Sequence, residues 1–165
     1  MHKNNRSLVF ILFVAIAAIV LWGLAAAAEA PASAPSTKTA KAPAAVSNDH
    51  IQVQHVLIGF KGSVRGKNIT RSQEEAKALA ADILARARKG EDFAALVKKY
   101  TDDAFPGIYG MNNTGVAKGP GEFDRAGMVK AFGDTSFSLK VGEIGMAEYD
   151  PQTSPFGWHI VKRLK

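Results

Sequence analysis

The chain contains no cysteine. It therefore has no disulfide framework, no thiolate nucleophile and no cysteine-ligated zinc site. The chain also has only a small excess of positive charge, with a net charge of +6. Residues 1–45 hold four cations, Lys3, Arg6, Lys38 and Lys41, against the single acid Glu29, so they contribute +3 of that total. The remaining +3 is spread over residues 46–165 without a stripe of basic and aromatic residues, and we therefore expect no nucleic acid partner.

Length limits the number of domains. Residues 1–45 do not have the pattern of a globular core, which leaves about 120 of the 165 residues for one domain of ordinary size. The sequence contains no internal repeat and no phosphate-binding loop.

The N-terminus has the pattern of an export signal. Lys3 and Arg6 precede residues 8–28, which contain no charged side chain. As a helix this run would span about 30 Å, the thickness of a membrane's hydrocarbon core. We predict that residues 1–28 are either a membrane anchor or a cleaved signal peptide, since Ala26-Ala27-Ala28 offers a cleavage site. The rest of the protein is then exported, either anchored and facing the periplasm or cell exterior, or secreted.

Residues 29–48 are rich in Ala, Pro and Ser and have no periodic apolar positions. Such a segment cannot bury enough surface to order itself, so we predict a disordered linker. The folded domain is then residues 49–165, and we expect it to be a monomer.

The first half of that domain is predicted to contain a strand followed by two helices. Residues 51–60 are patterned as a strand, and Ser72 and Glu75 form a capping box at the start of a long helix that ends near Gly90. The apolar stripe of this helix is Ala76, Leu79, Ile83 and Ala87. Asp92 can cap a second helix, which we expect to bury Phe93, Leu96, Val97 and Tyr100.

After a long irregular stretch, the second half returns to a helix and two strands. The pattern predicts a short helix over residues 128–132 and strands over 142–149 and 158–164. Helices between the first strand and the others indicate an α+β fold.

Two histidines occupy β-patterned runs near the opposite ends of the domain. Strand side chains alternate, so His55 shares a face with Ile51, Val53 and Leu57, and His159 shares a face with Val161. If the first and last strands are neighbours, the two imidazoles meet in the middle of the sheet. Two unrelated histidines are the alternative that spacing alone leaves open.

At this point the order of motifs over residues 50–165 resembles the parvulin family of peptidyl-prolyl cis/trans isomerases, or rotamases. The matching segments are His55-Val56-Leu57-Ile58, Glu74-Glu75-Ala76, Gly90-Glu91-Asp92-Phe93-Ala94-Ala95-Leu96, Tyr100-Thr101-Asp102-Asp103, Gly121-Glu122-Phe123, Gly127-Met128-Val129-Lys130-Ala131-Phe132, Phe137-Ser138-Leu139-Lys140-Val141-Gly142-Glu143-Ile144 and Phe156-Gly157-Trp158-His159-Ile160-Val161.

The resemblance implies a four-stranded antiparallel sheet surrounded by three to four helices, with a substrate proline held against the sheet. It identifies His55 and His159 as the family's paired histidines and places Asp103 where the family has a cysteine or an aspartate. Asp102, the neighbouring acid, is then expected to begin a turn. Met128 and Phe132 match the proline-pocket residues.

We expect Phe123 and Phe156 to complete the pocket wall. Without the resemblance, Met128, Phe123 and Phe132 would be read as ordinary core residues. One segment departs from the family's pattern, because residues 104–122 look longer than usual and have Gly119-Pro120-Gly121 where a Gly-Asp-Leu-Gly turn is common. The sequence therefore does not predict which residues form one side of the pocket.

The implied activity is isomerisation of X-Pro bonds in unfolded exported proteins, without cofactor or metal. We expect His55, His159 and Asp103 to form a preorganised polar cluster that stabilises the twisted amide, with nucleophilic attack by Asp103 as an alternative. A foldase-type chaperone that binds peptide with little turnover is the alternative function. The basic residues Lys61, Arg65, Lys67 and Arg71 are by default a solvated loop, although in some parvulins a basic loop selects acidic or phosphorylated residues before proline.

Overall fold

A computed structural model describes residues 48–165 of the protein. The predicted anchor or signal peptide at residues 1–28, and the predicted linker except for its last residue, lie outside the described residues. Within residues 48–165 no helix is both long and apolar enough to cross a membrane.

The sheet has five strands rather than the four antiparallel strands expected. They are β1 (His50–Ile58), β2 (Ile108–Asn112), β3 (Glu122–Asp124), β4 (Ile144–Ala147) and β5 (Trp158–Arg163), in the spatial order β3-β2-β1-β5-β4. Neighbouring strands are antiparallel except β2 and β3, which are parallel.

Strands β2 and β3 lie in the stretch that the pattern left irregular. They have only five and three residues, and β2 contains Gly110 at its centre, which weakens the strand pattern. Their pairing comes from neighbours distant in sequence, since Tyr109 lies opposite Val53 of β1. Tertiary pairing, rather than local preference, therefore determines these two strands.

One face of the sheet is covered by α1 (Gln73–Arg88) and α2 (Phe93–Tyr100). The predicted capping box is confirmed: the Ser72 hydroxyl accepts a hydrogen bond from the amide of Glu75, whose carboxylate accepts one from the amide of Ser72. The Asp92 cap is also confirmed. The buried residues of the two helices are Ala76, Ala80, Ile83, Ala87, Phe93, Leu96 and Val97.

The opposite face is covered only in part, by α3 (Lys130–Ser138). Phe132 and Phe137 of this helix are buried against Ile51 and Val53 of β1. The part of this face that α3 leaves uncovered is where a site can form.

A helix is present in this region, but the predicted bounds of residues 128–132 are wrong at both ends. Met128 is extended, with φ −87° and ψ 161°, so α3 begins only at Lys130. It continues to Ser138 through Gly133, Asp134 and Thr135, which are weak helix formers. Tertiary contacts offset that weakness, because the buried Arg163 guanidinium donates to the carbonyl of Leu139 just past the end of the helix.

Candidate active site

The two histidines meet on the face that α3 leaves partly open. Strands β1 and β5 are antiparallel neighbours in which Leu57 lies opposite His159 and His55 lies opposite Val161, so the two imidazoles are diagonal neighbours. Their Nδ1 atoms are 3.2 Å apart, and both residues are buried. The first and last strands are therefore neighbours, which is the condition under which the two imidazoles were expected to meet.

The segment after α2 brings Asp103 over this pair. Its backbone bonds to β1 at two points, since the Asp102 amide donates to the carbonyl of Leu57 and the His55 amide donates to the carbonyl of Gly107. Between these anchors, Asp103 Oδ2 lies 3.0 Å from His55 Nε2.

Asp102 has a different task from its neighbour. Its Oδ2 accepts from the Gly59 amide at 2.8 Å and from the Arg71 guanidinium. It thus fastens the end of β1 to the loop that follows, and it does not reach the histidines.

Tyr109 is a site residue that the sequence analysis missed. Its hydroxyl donates to the same Asp103 Oδ2 at 2.8 Å, and its ring lies edge-on to the His55 ring with centroids 5.1 Å apart. The available signal was the alternation of Tyr109 and Met111 around Gly110, which places both on the inner face once β2 is recognised as a strand.

The hydrogen bonds define one consistent set of tautomers when both rings are neutral. The carboxylate of Asp103 can only accept, so His55 donates from Nε2 and its Nδ1 is an acceptor. His159 must then donate from its own Nδ1. This leaves His159 Nε2 without a proton, and that buried atom has no hydrogen-bond partner among residues 48–165.

The electrostatics keep a negative charge at Asp103 beside a neutral ring at His159. Hydrogen bonds from His55 and then Tyr109 hold the pKa of Asp103 well below its usual range. Burial, together with the neighbouring His55, lowers the pKa of His159 to about 3. Burial and the bond to Asp103 raise the pKa of Tyr109 to about 12, so its hydroxyl stays a donor near neutral pH.

A cavity of about 240 Å³ opens directly onto this polar chain. It is smaller than the roughly 300–1,000 Å³ typical of sites for drug-sized ligands, which suits one small ring with its neighbouring atoms. The lining residues are His55, Leu57, Val64, Asp103, Tyr109, Met128, Val129, Phe132, Phe156 and His159. Within residues 48–165 no group of three or more His, Asp or Glu side chains is arranged to hold a metal ion.

Most of the residues singled out from the sequence come together at this cavity. Met128, Phe132 and Phe156 line it together with His55, Asp103 and His159, and the Phe132 ring lies 4.9 Å from that of His55. Phe123 does not line it. The Phe123 ring lies 5.6 Å from Tyr109 and is half exposed, so it stands behind the wall. Leu57, Val64 and Val129 line the cavity without having been singled out.

Comparison with known proteins gives a family match over most of the chain. The model of the PPIC-type PPIase domain matches residues 37–165. Chaperone SurA from Chromohalobacter salexigens is 37% identical over 111 residues, which is 67% of this chain and 21% of that protein. Foldase protein PrsA from Geobacillus kaustophilus is 34% identical over 103 residues, 62% of this chain and 32% of that protein. The chain thus spans no more than about a third of the length of these relatives.

Solved structures share the architecture. Peptidyl-prolyl isomerase ESS1 from Candida albicans superposes with a TM-score of 0.56 at 23% identity, covering 72% of this chain and 64% of that one. The solution structure of TbPIN1 gives a TM-score of 0.54 at 24% identity, covering 72% of this chain and all of that one. These likenesses show a parvulin-like α+β fold.

Proposed function

The chain belongs to the family of PPIC-type PPIase domains, and on that premise we propose that it catalyses cis/trans isomerisation of X-Pro bonds in unfolded exported proteins. The observation that supports this most is a single cavity with two kinds of wall. Met128 and Phe132 supply an apolar wall, and the hydrogen-bonded chain of His55 and Asp103 supplies a polar one. An X-Pro bond presents the same two parts, an apolar ring and a polar carbonyl.

The apolar wall holds the proline ring. Phe132 is almost fully buried and held in place by α3, so it forms a rigid part of the pocket. Met128 has a flexible side chain that can adapt to the bound ring. Fixing the ring leaves the carbonyl on the other side of the C–N bond to turn. A proline ring bound on this wall displaces water from it, which strengthens electrostatic interactions with that carbonyl.

The polar wall acts on the barrier itself. Rotation faces a barrier of about 18–20 kcal/mol because resonance moves electron density from nitrogen to the carbonyl oxygen and keeps the amide planar. A fixed negative charge at Asp103 beside that oxygen opposes this charge separation, so it destabilises the planar form relative to the twisted one. Each 1.36 kcal/mol gained in this way is worth about tenfold in rate.

Hydrogen bonds from neighbouring side chains hold the charge in place. His55 and Tyr109 both donate to one oxygen of Asp103, and His159 fixes the tautomer of His55. The Asp103 carboxylate is therefore oriented before substrate arrives, and electrostatic catalysis requires that preorganisation. No covalent bond between Asp103 and substrate is needed.

The test is a protease-coupled assay of proline tetrapeptides with the full chain in mild detergent micelles. Wild type should accelerate isomerisation, and Met128→Ala and His55→Ala should each lower kcat/KM by more than tenfold. Lys77→Ala, an exposed change on α1 across the sheet, is the matched control and should keep wild-type activity. A folded wild type that leaves the uncatalysed rate unchanged would reject the enzyme proposal.

A chaperone module is the second candidate. It is supported by the names of the relatives, a chaperone and a foldase, of which this chain spans only a part. In this case the cavity holds unfolded peptide without turning the bond. Peptide binding that Met128→Ala abolishes, without acceleration by the wild type, would favour this function.

The export of the domain is a further part of the proposal. It rests on Lys3 and Arg6 before the uncharged residues 8–28. The mass of the mature protein separates a retained anchor from a cleaved signal, and extraction from membranes at alkaline pH tests whether the retained segment is embedded. Sedimentation of the detergent-free domain tests whether it is a monomer, as we expect.

A further inference from the structure

We propose that this cavity selects X-Pro bonds in which an uncharged, apolar residue precedes the proline, and that it rejects acidic or phosphorylated residues there. This selectivity rests on the proposed isomerase function and names its substrate class. It also decides between the two readings of the basic loop that the sequence left open.

The loop after β1 turns its apolar residue, rather than its cations, toward the cavity. Val64 lines the cavity, although it stands between basic residues in the sequence. Gly59 makes room for it, because a Cβ at that position would lie only 2.8 Å from a methyl group of Val64. Val64 is thus packed in place.

A second contact joins this loop to the other half of the rim. The Ser63 hydroxyl accepts a bond from the Phe60 amide and donates one to the carbonyl of Phe156, each at 2.9 Å. Val64 and Phe156 therefore form a connected apolar rim, and Phe156 leaves about two fifths of its surface exposed for a substrate side chain to cover.

The cations of the loop are placed elsewhere. Arg71 donates to the carboxylate of Asp102 and to the carbonyl of Gly59, which is 2.9 Å away. Lys61, Arg65 and Lys67 are exposed, and no Lys or Arg lines the cavity. Besides the two imidazoles, the ionisable groups in the wall are the Tyr109 hydroxyl and the Asp103 carboxylate, which is partly exposed.

The residue before proline lies next to the bound ring. Its Cα lies about 2.9 Å from that of proline in the cis form and about 3.8 Å in the trans form. With the ring on Met128 and Phe132 and the carbonyl beside Asp103, we place the side chain of this residue against the rim of Val64 and Phe156. An apolar side chain buries surface there, whereas an acidic one brings a second negative charge toward Asp103 with no cation to offset it.

The experiment compares three tetrapeptides that differ only in having Leu, Gln or Glu before proline, with the full chain in neutral detergent micelles. We expect kcat/KM to fall in the order Leu, Gln, Glu, with Glu about tenfold below its uncharged isostere Gln. The gap between Glu and Gln should narrow when salt is raised from about 20 mM to about 500 mM, because Asp103 is partly exposed to screening ions.

Two variants assign the effect to the cavity wall. Val64→Lys should raise the Glu-to-Gln ratio by about tenfold, because it places a cation at the rim. Arg65→Ala, which removes a neighbouring exposed cation, is the matched control and should leave the ratio unchanged. The proposal is overturned if wild type turns over the Glu peptide as fast as the Gln peptide, or if Arg65→Ala selectively slows the Glu peptide.

Failure of the isomerase function itself would give a different result. If wild type accelerates none of the three peptides, their affinities measured by NMR shift titration still test the selectivity. Weaker binding of the Glu peptide than of the Gln peptide then supports it, and equal or tighter binding refutes it.

Discussion

Replacing Tyr109 by Phe removes a single hydrogen bond at the site that the sequence alone did not predict. The change removes the hydroxyl that donates to Asp103 Oδ2 at 2.8 Å. It keeps the ring, which lies 5.1 Å from the His55 centroid and 5.9 Å from that of Phe132. The variant therefore tests the orientation of Asp103 without removing the cavity wall.

The size of the expected rate loss follows from the charge and the exposure of Asp103. A hydrogen bond to a charged group is worth about 1.5–3 kcal/mol. The Asp103 side chain is 34% exposed, so water can replace part of the lost bond. We take about 1 kcal/mol as the remaining effect, which corresponds to about a fivefold loss of rate.

The assay separates kcat from KM. If Tyr109 orients Asp103 for the twisted amide only, kcat and kcat/KM should both fall about fivefold while KM changes little. Tyr100→Phe is the matched control, because its hydroxyl accepts from Arg86 on α1 and does not reach the site. An unchanged kcat for Tyr109→Phe, or a loss that appears only in KM, would refute the positioning role.

Three further predictions concern stability. Gly157→Ala should lower the free energy of unfolding, measured by denaturant titration, by more than about 3 kcal/mol, because φ is +134° and the new Cβ would clash with the carbonyl of Ile58. Gly62→Ala has φ +83° but open space around it, so it should lower that free energy by only about 1 kcal/mol. Equal losses in the two variants would contradict the clash. Ser72→Ala should cost about 1 kcal/mol by the same titration through loss of the capping box, and a neutral result would contradict that assignment. The folded state lowers the pKa of His159 from 6.5 to about 3, so the unfolded chain takes up a proton first as pH falls. The free energy of unfolding should therefore drop by up to about 1.4 kcal/mol per pH unit between about pH 6 and 3. His159→Leu should flatten this slope between pH 6.5 and 5, and an unchanged slope would contradict the burial of a neutral ring.

Local signals predicted the helices that begin with caps. Ser72 with Glu75, and Asp92, mark the starts of α1 and α2 because these side chains bond to backbone amides that the helix leaves free. By contrast, α3 begins at Lys130 without a side-chain cap and runs through Gly133. Its extent depends on burial against the sheet, which the pattern of its own residues does not reveal.

The polar half of the site was predictable from alternation and family motifs. His55 and His159 each lie on the inner face of a strand, and only the pairing of β1 with β5 was needed to bring them together. The family resemblance is confirmed by the match over residues 37–165. Tyr109 and Val64 were not predictable in this way, because one lies in a strand too short to recognise and the other in a loop that its charged neighbours made look fully solvated.

If the cavity beside the two histidines catalyses isomerisation of the X-Pro bond, NMR exchange spectroscopy of an intact proline peptide should detect it without a coupling protease. With catalytic amounts of the full chain in micelles, cis and trans proline resonances should show exchange cross peaks that are absent from the peptide alone and are lost with Phe132→Ala. Binding shifts at the peptide without such cross peaks, from a folded wild-type protein, would contradict the account.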